Sequence, residues 1–139
     1  MSHQIKRVPQ RDWDNGDCGI ACVAMVARVP YFIALAEFRK LKGKETTNDF
    51  RTRHHHLVKM LDSLGVSARL RRFWSLRAIE TSAIVKVNET ASGDWHWVVL
   101  DCSRLNAVIH DPKPGKNFLI RDFRGLKGNG QYILVAHLV

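Results

Sequence analysis

Three side chains in this 139-residue sequence have the residue types needed for nucleophilic chemistry, namely Cys18, His96 and Asp111. A cysteine thiolate attacks carbonyl carbons, an imidazole can accept the thiol proton, and a carboxylate can hold that imidazole in the required tautomer. Cys18 opens the apolar segment CGIACVAMVARV, which predicts a helix buried on most faces. The free N–H groups and the dipole at such a helix start favour thiolate over thiol. Together these residues indicate attack by Cys18 on a carbonyl group.

Each of these residues also has a purely structural explanation. Cys18 could be a small apolar core residue, as we expect for Cys22 and Cys102. His96 lies in the apolar run WHWVVLDC and could be an ordinary strand histidine. Asp111 closes the next predicted strand, so its carboxylate can reach His96 only if the two strands pair. The chemical interpretation therefore depends on the fold.

The first half of the sequence predicts helices. Asp17 stands where a helix-capping residue is expected, directly after the turn-forming residues Asp14, Asn15 and Gly16. Gly65 is a suitable residue to end a helix. The predicted helices cover residues 17–29, 32–41 and approximately 53–64.

The second half predicts short strands. Residues 66–71 alternate with a period of two, and residues 82–88 are apolar and β-branched. The predicted strands cover residues 66–71, 82–88, 95–102, 106–110, 116–121 and 131–139, with a short helical turn at 74–79. Short strands joined by turns favour antiparallel pairing, and helices followed by strands define the α+β class.

The composition is that of one soluble globular domain, which we expect to span residues 1–139. No apolar run approaches the roughly 18 residues of a membrane span, and the polar N-terminus lacks a signal-peptide core. We therefore expect a cytoplasmic protein, or one secreted or delivered without a cleaved signal peptide. Three cysteines in such a protein argue against a disulfide framework, and their spacing is poor for zinc.

The formal net charge is +9, which is compatible with an anionic partner such as nucleic acid. The main basic cluster mixes arginines with aromatic residues and consists of Arg69, Arg71, Arg72, Phe73, Trp74 and Arg77. Strand alternation would place Arg69 and Arg71 on one face, which is also what a solvated surface requires. The histidine run His54-His55-His56 invites a metal interpretation, but consecutive helical residues point about 100° apart and cannot share one ion well. We expect no metal site there.

Three stretches of the sequence match the motifs of one known family. The run Asp17-Cys18-Gly19-Ile20-Ala21-Cys22, the run His96-Trp97-Val98-Val99-Leu100, and the turn Asp111-Pro112-Lys113-Pro114-Gly115 occur in this order. They resemble the nucleophile, histidine and aspartate motifs of the bacteriocin-processing cysteine peptidases, which cleave after double-glycine leaders. A DCG motif alone is moderately specific, but the three motifs in order are a strong signal, and the resemblance covers nearly the whole chain.

The resemblance implies a papain-like cysteine peptidase fold, with helices carrying Cys18 and an antiparallel sheet carrying His96 and Asp111. It also implies a glutamine upstream of the cysteine as oxyanion donor, and Gln10 is the natural match, with Gln4 as a weaker one. Gln10 stands eight positions before Cys18, so the intervening loop must absorb two more residues than the family pattern has.

We also assign Gly19 and Trp97 to substrate binding, Gly19 because a residue without a side chain lets a substrate backbone come close. The expected substrate is a peptide or protein, or a related amide, and no cofactor is needed. The alternative is a non-catalytic module on the same fold that binds a peptide, or binds nucleic acid through its arginines.

Overall fold

The computed structural model describes residues 5–43, 49–73, 75–103, 107–115 and 126–137. Three α-helices come first, and they are α1 (Cys18–Ala27), α2 (Tyr31–Lys42) and α3 (His54–Ser63). Five strands follow, and they are β1 (Val66–Arg72), β2 (Ala83–Val87), β3 (His96–Asp101), β4 (Val108–His110) and β5 (Gly128–His137). The α+β class predicted from the sequence is therefore confirmed.

The five strands form one antiparallel sheet in the order β1-β5-β2-β3-β4. Strand β5, the last in the chain, is inserted between β1 and β2. It begins at Gly128, three residues before the predicted start, because its first residues pair with β2 beyond a bulge at Val85/Val87. Strands β3 and β4 pair so that Val99 stands opposite His110. This pairing is the one on which the proximity of His96 and Asp111 depends.

Both faces of the sheet are covered. One face packs on the helices through Ile84, Trp97, Val99 and Ile133. The opposite face has its own core, which includes Val85, Val98, Leu100, Ile109 and, from the segment before β2, Leu76 and Ile79. Because the central strands are buried on both sides, they are mainly apolar and do not alternate.

Helix α1 packs against α2, α3 and strand β3. All of its residues from Cys18 to Val26 are buried, which fits the uniformly apolar sequence. The helix ends at Ala27, and Arg28 follows in the left-handed conformation, with its N–H bonded to the carbonyl of Ala24. Pro30 then begins α2 as its N-cap residue. The predicted helices are confirmed to within a few residues at each end.

Some predictions fall on residues that the structure does not describe. These are the strand at 116–121, the position of Trp74 in the basic cluster, and Gln4. The predicted helical turn near Trp74 is present as a 3₁₀ helix at Leu76–Ala78.

The histidine run begins α3, where the Nδ1 atom of His56 accepts a hydrogen bond from the N–H of Arg53 at 2.9 Å. Among the described residues, no group of three or more His, Cys, Asp or Glu side chains is arranged to hold a metal ion.

The arginines of the basic cluster lie mainly on β1, an edge strand of the sheet, and Arg69, Arg71, Arg72 and Arg77 are all exposed. Nucleic-acid binding by this surface stays a prediction. Within the described ranges, no single helix is long and apolar enough to cross a membrane, and α1 and α2 meet that test only as a pair bent by 119°.

Candidate active site

Cys18 is the first residue of α1, and its side chain faces the sheet. The chain reaches it through a 3₁₀ turn, Trp13–Asn15, and through Gly16 in the left-handed conformation. The Cys18 Sγ atom accepts a hydrogen bond from the backbone N–H of Trp97 at 3.5 Å. The residue is only 7% exposed, so the sulfur lies at the base of a cleft between α1 and β3. The helix-start position predicted for this cysteine is therefore observed.

His96 and Asp111 are in contact at the neighbouring end of the sheet. The Nε2 atom of His96 lies 2.8 Å from Oδ1 of Asp111. The same carboxylate oxygen accepts the backbone N–H of Lys113 at 2.9 Å, which fixes it within the turn after β4. The Arg7 side chain secures this turn, since it donates to the carbonyl oxygens of Asp111 and Lys113 at 2.8 and 2.6 Å.

The imidazole of His96 lines the same cleft as Cys18, and the interaction between the two side chains contributes to the pKa of His96. Since Nε2 is engaged by Asp111, Nδ1 is the ring nitrogen left for the sulfur. Burial alone would lower the pKa of His96, but its interactions with Asp111 and Cys18 outweigh burial and raise the pKa to about 9. The protonated imidazole is thus favoured next to the sulfur. The Trp13 ring meets the imidazole edge-on, with centroids 6.0 Å apart.

Gln10 is held near Asp111 through its backbone and near the start of α1 through its side chain. Its backbone N–H donates to the carbonyl of Pro112 at 2.8 Å, directly after Asp111. Its side chain is buried, and its Nε2 atom donates to Oδ1 of Asp17 at 2.8 Å. A cleft of about 550 Å³ is lined in common by Gln10, Cys18 and His96. The structure therefore brings the predicted oxyanion donor to the same cleft as the cysteine.

Trp97 lines a second cleft, of about 370 Å³, that also includes Cys18. Its indole is 2% exposed, and the indole N–H donates to the carbonyl of Thr52 at 3.1 Å. Exposed charged side chains surround the entrance, where Arg51 forms ion pairs with Asp49 at 3.0 Å and with Asp94 at 3.4 Å. Trp97 is thus a buried wall of this cleft.

The reason predicted for Gly19 needs correction. A Cβ atom at this position would lie 1.9 Å from Oγ1 of Thr52 and 3.0 Å from the Leu57 side chain. The residue must lack a side chain because a protein segment packs against it. The sequence interpretation assumed that a substrate backbone would occupy this space, but Thr52 already does.

The role predicted for Asp17 is also corrected. It occupies the N-cap position of α1, but its side chain makes no capping hydrogen bond. Instead the buried carboxylate accepts bonds from the Gln10 side chain, from the N–H groups of Arg11 and Asp12, and from the Tyr31 hydroxyl. Sequence inspection missed Tyr31, Arg7 and Thr52 because each acts through contacts distant in the chain.

The fold and the site define the class of the protein. Helices carrying a cysteine, packed on an antiparallel sheet carrying a histidine and an aspartate, are the architecture of a papain-like cysteine peptidase. The peptidase C39 family model matches residues 6–123, and the chain belongs to this family. The resemblance predicted from the motifs is confirmed, and membership favours the enzyme over the non-catalytic module.

Solved structures share this fold, and an example is given by the following one. It is the crystal structure of a double-glycine motif protease from an AMS/PCAT transporter, in complex with the leader peptide. The TM-score is 0.66 at 18% sequence identity, over 97% of this chain and 93% of that chain. No curated protein matches the sequence.

The close packing of Thr52 on Gly19 predicts that adding a single methyl group at position 19 destabilises the protein. The Gly19→Ala variant would place a Cβ atom 1.9 Å from the threonine oxygen. Because overpacking a core typically costs about 1–3 kcal/mol, we expect the free energy of unfolding in urea to fall by that amount. Adding Thr52→Ala removes the clashing oxygen, so the double variant should be more stable than the sum of the single effects allows. If the changes in the free energy of unfolding of the two single variants simply add in the double variant, the predicted contact between Gly19 and Thr52 is contradicted.

The raised pKa of His96 predicts that its imidazole titrates at a higher pH than an ordinary histidine. By nuclear magnetic resonance, the imidazole of His96 should titrate near pH 9, and the Asp111→Asn variant should titrate at lower pH because a hydrogen-bonded charge is lost. Since the folded pKa exceeds the unfolded one, this ionisation stabilises the fold below about pH 6.5, and the stabilisation is lost as the pH rises through about 9. A wild-type midpoint near 6.5 would contradict the contacts with Asp111 and Cys18.

Proposed function

We propose that this C39 peptidase cleaves a peptide bond by nucleophilic attack from the thiolate of Cys18. The observation that carries the proposal is that His96, hydrogen-bonded to Asp111, lines the same cleft as Cys18. In the resting state the thiolate is paired with the protonated imidazole of His96. The raised pKa of that imidazole supports such a pair at neutral pH.

The reaction then proceeds in two steps. The thiolate adds to the scissile carbonyl carbon, and the imidazolium of His96 gives its proton to the leaving amine as the C–N bond breaks. The product is a thioester on Cys18 and a free amine. Water, deprotonated by the now neutral His96, hydrolyses the thioester and restores the thiolate–imidazolium pair. Asp111 keeps Nε2 of the imidazole engaged throughout, so that Nδ1 faces the sulfur.

Negative charge develops on the carbonyl oxygen during both steps. We assign its stabilisation to the side-chain amide of Gln10 and to the backbone N–H of Cys18, which is unpaired within the helix because α1 begins there. The common cleft of Gln10, Cys18 and His96 supports this assignment. The positive end of the α1 dipole acts in the same direction.

The substrate that we propose is a peptide segment with two glycines before the scissile bond. The structurally similar protein is a double-glycine motif protease that was crystallised in complex with the leader peptide. In this chain Cys18 is 7% exposed and lines two clefts, one with Trp13 and one with Trp97, and residues without side chains reach such a buried sulfur with the least obstruction. We therefore expect small residues on the acyl side of the cleaved bond.

A cleavage assay tests this proposal. The substrate is a fluorogenic peptide with Gly-Gly before the scissile amide, and products are identified by mass spectrometry. Wild-type protein should cleave after the second glycine, whereas Cys18→Ala should be inactive. Asp111→Asn should lower kcat/KM by about 10²-fold or more, because general acid–base catalysis is worth about that much.

The matched control for the cysteine is Cys102→Ala, a partly buried thiol at the end of β3, which should retain full activity. Activity that survives Cys18→Ala, or that disappears equally in Cys102→Ala, would overturn the assignment of the nucleophile. A protein that cleaves a Gly-Gly peptide no faster than one with Leu-Leu would overturn the proposed substrate.

A further inference from the structure

The carboxylate of Asp17 is buried and is the acceptor of four hydrogen bonds. It is 0% exposed. Its Oδ1 atom accepts the Nε2 amide of Gln10 at 2.8 Å. Its Oδ2 atom accepts the N–H groups of Arg11 at 2.8 Å and Asp12 at 3.0 Å, and the hydroxyl of Tyr31 at 2.6 Å. A buried charge with this many donors is a fixed point in the fold, because removing the carboxylate would leave those donors unsatisfied.

The donors come mostly from the loop between Gln10 and Cys18. This is the loop that is two residues longer than the family pattern, and the structure folds it around the carboxylate. The 3₁₀ turn Trp13–Asn15 takes up the remaining length. In this conformation three polar groups of the loop donate hydrogen bonds to Asp17. Gln10 is thereby held at the start of the loop.

The chemistry of a carboxylate fixes which way the Gln10 amide points. An ionised carboxylate only accepts hydrogen bonds, so the amide must turn its NH₂ group, and not its oxygen, towards Asp17. The NH₂ group carries a second hydrogen, which is left for another acceptor. The Gln10 Oε1 atom is buried and has no hydrogen-bond partner among the described residues. An amide that was free to rotate by 180° would not leave its oxygen buried and without a hydrogen-bond partner.

We propose that Asp17 is a positioning residue, which holds the Gln10 amide in the one orientation that presents an N–H group to the reacting carbonyl oxygen. This inference rests on the proposed function for its catalytic meaning, since it needs Gln10 as oxyanion donor. The backbone bond from Gln10 to Pro112 fixes the residue at its other end, next to Asp111. Asp17, the residue directly before Cys18, thus links the oxyanion donor to the start of α1.

The first test uses the nearly isosteric variant Asp17→Asn. Its side chain has an NH₂ group that can donate to Gln10 Oε1, so the Gln10 amide can rotate and present oxygen to the oxyanion. We expect kcat to fall by about 10²- to 10³-fold on the Gly-Gly amide, as on removal of an oxyanion donor, with KM changed little. Alkylation of Cys18 by iodoacetamide creates no oxyanion, so its rate should stay within about 3-fold of the wild type once expressed per thiolate.

Two further variants separate positioning from general destabilisation. If Asp17 acts through Gln10, the double variant Asp17→Asn/Gln10→Ala should be no slower than Gln10→Ala alone. Tyr31→Phe is the matched control, because it removes one donor from Oδ2 and leaves the Gln10 bond on Oδ1 in place. It should lower the melting temperature but change kcat by less than about 3-fold. If the reductions in kcat caused by the two single substitutions multiply in the double variant, the inference is overturned. A reduction in kcat by Tyr31→Phe as large as that by Asp17→Asn would overturn it as well.

A measurement on the wild-type protein, with variants used only to assign and to release the signal, does not depend on cleavage. The side-chain NH₂ signals of Gln10, assigned by their loss in Gln10→Ala, should show one hydrogen slowed in exchange by its bond to Asp17. Two equivalent, rapidly exchanging hydrogens would overturn the inference. If the slowed hydrogen is present and released by Asp17→Asn while no Gly-Gly peptide is cleaved, the positioning contact stands and only the proposed substrate fails.

Discussion

The burial of helix α1 is the constraint on which the rest of the structure depends. Its residues from Cys18 to Val26 are enclosed by the other helices and by the sheet, so the helix can neither rotate nor slide without losing apolar contacts. Its N-terminus is thereby fixed against the start of β3, where the backbone of Trp97 donates to the Cys18 sulfur. The Cys18 end of the helix is positioned by core packing, and strand β3 places His96 in the cleft that Cys18 lines.

A second, polar constraint acts at the same helix end. A carboxylate at the N-cap position would ordinarily satisfy the first N–H groups of its own helix. Asp17 instead satisfies donors from the preceding loop and from Tyr31 on α2, and leaves the first N–H groups of α1 without a side-chain cap. Burial and the hydrogen bond to Asp17 raise the pKa of Tyr31, which keeps its hydroxyl a donor. The uncapped helix start is then available to an anionic oxygen in the cleft.

Much of the fold could be predicted from the sequence because it depends on local signals. Uniform apolarity predicted the buried α1, and short β-branched runs predicted the central strands, since these patterns reflect burial directly. The order of the Cys18, His96 and Asp111 motifs predicted the contacts at the site. The neighbours of Gly19 and the acceptor role of Asp17 could not be predicted, because both depend on side chains from distant parts of the chain. The early start of β5 at Gly128 depends likewise on its pairing with β2.

The most direct test of the central claim is a crystal structure of the protein with a peptide aldehyde ending in glycyl-glycinal. Such an aldehyde adds to a nucleophilic sulfur and places an oxygen where the developing oxyanion would be. We expect the aldehyde carbon to be bonded to the sulfur of Cys18, and its oxygen to lie within hydrogen-bond distance of the Gln10 Nε2 atom and the Cys18 backbone N–H. An adduct on Cys22 or Cys102, or an oxygen directed away from Gln10, would contradict the claim.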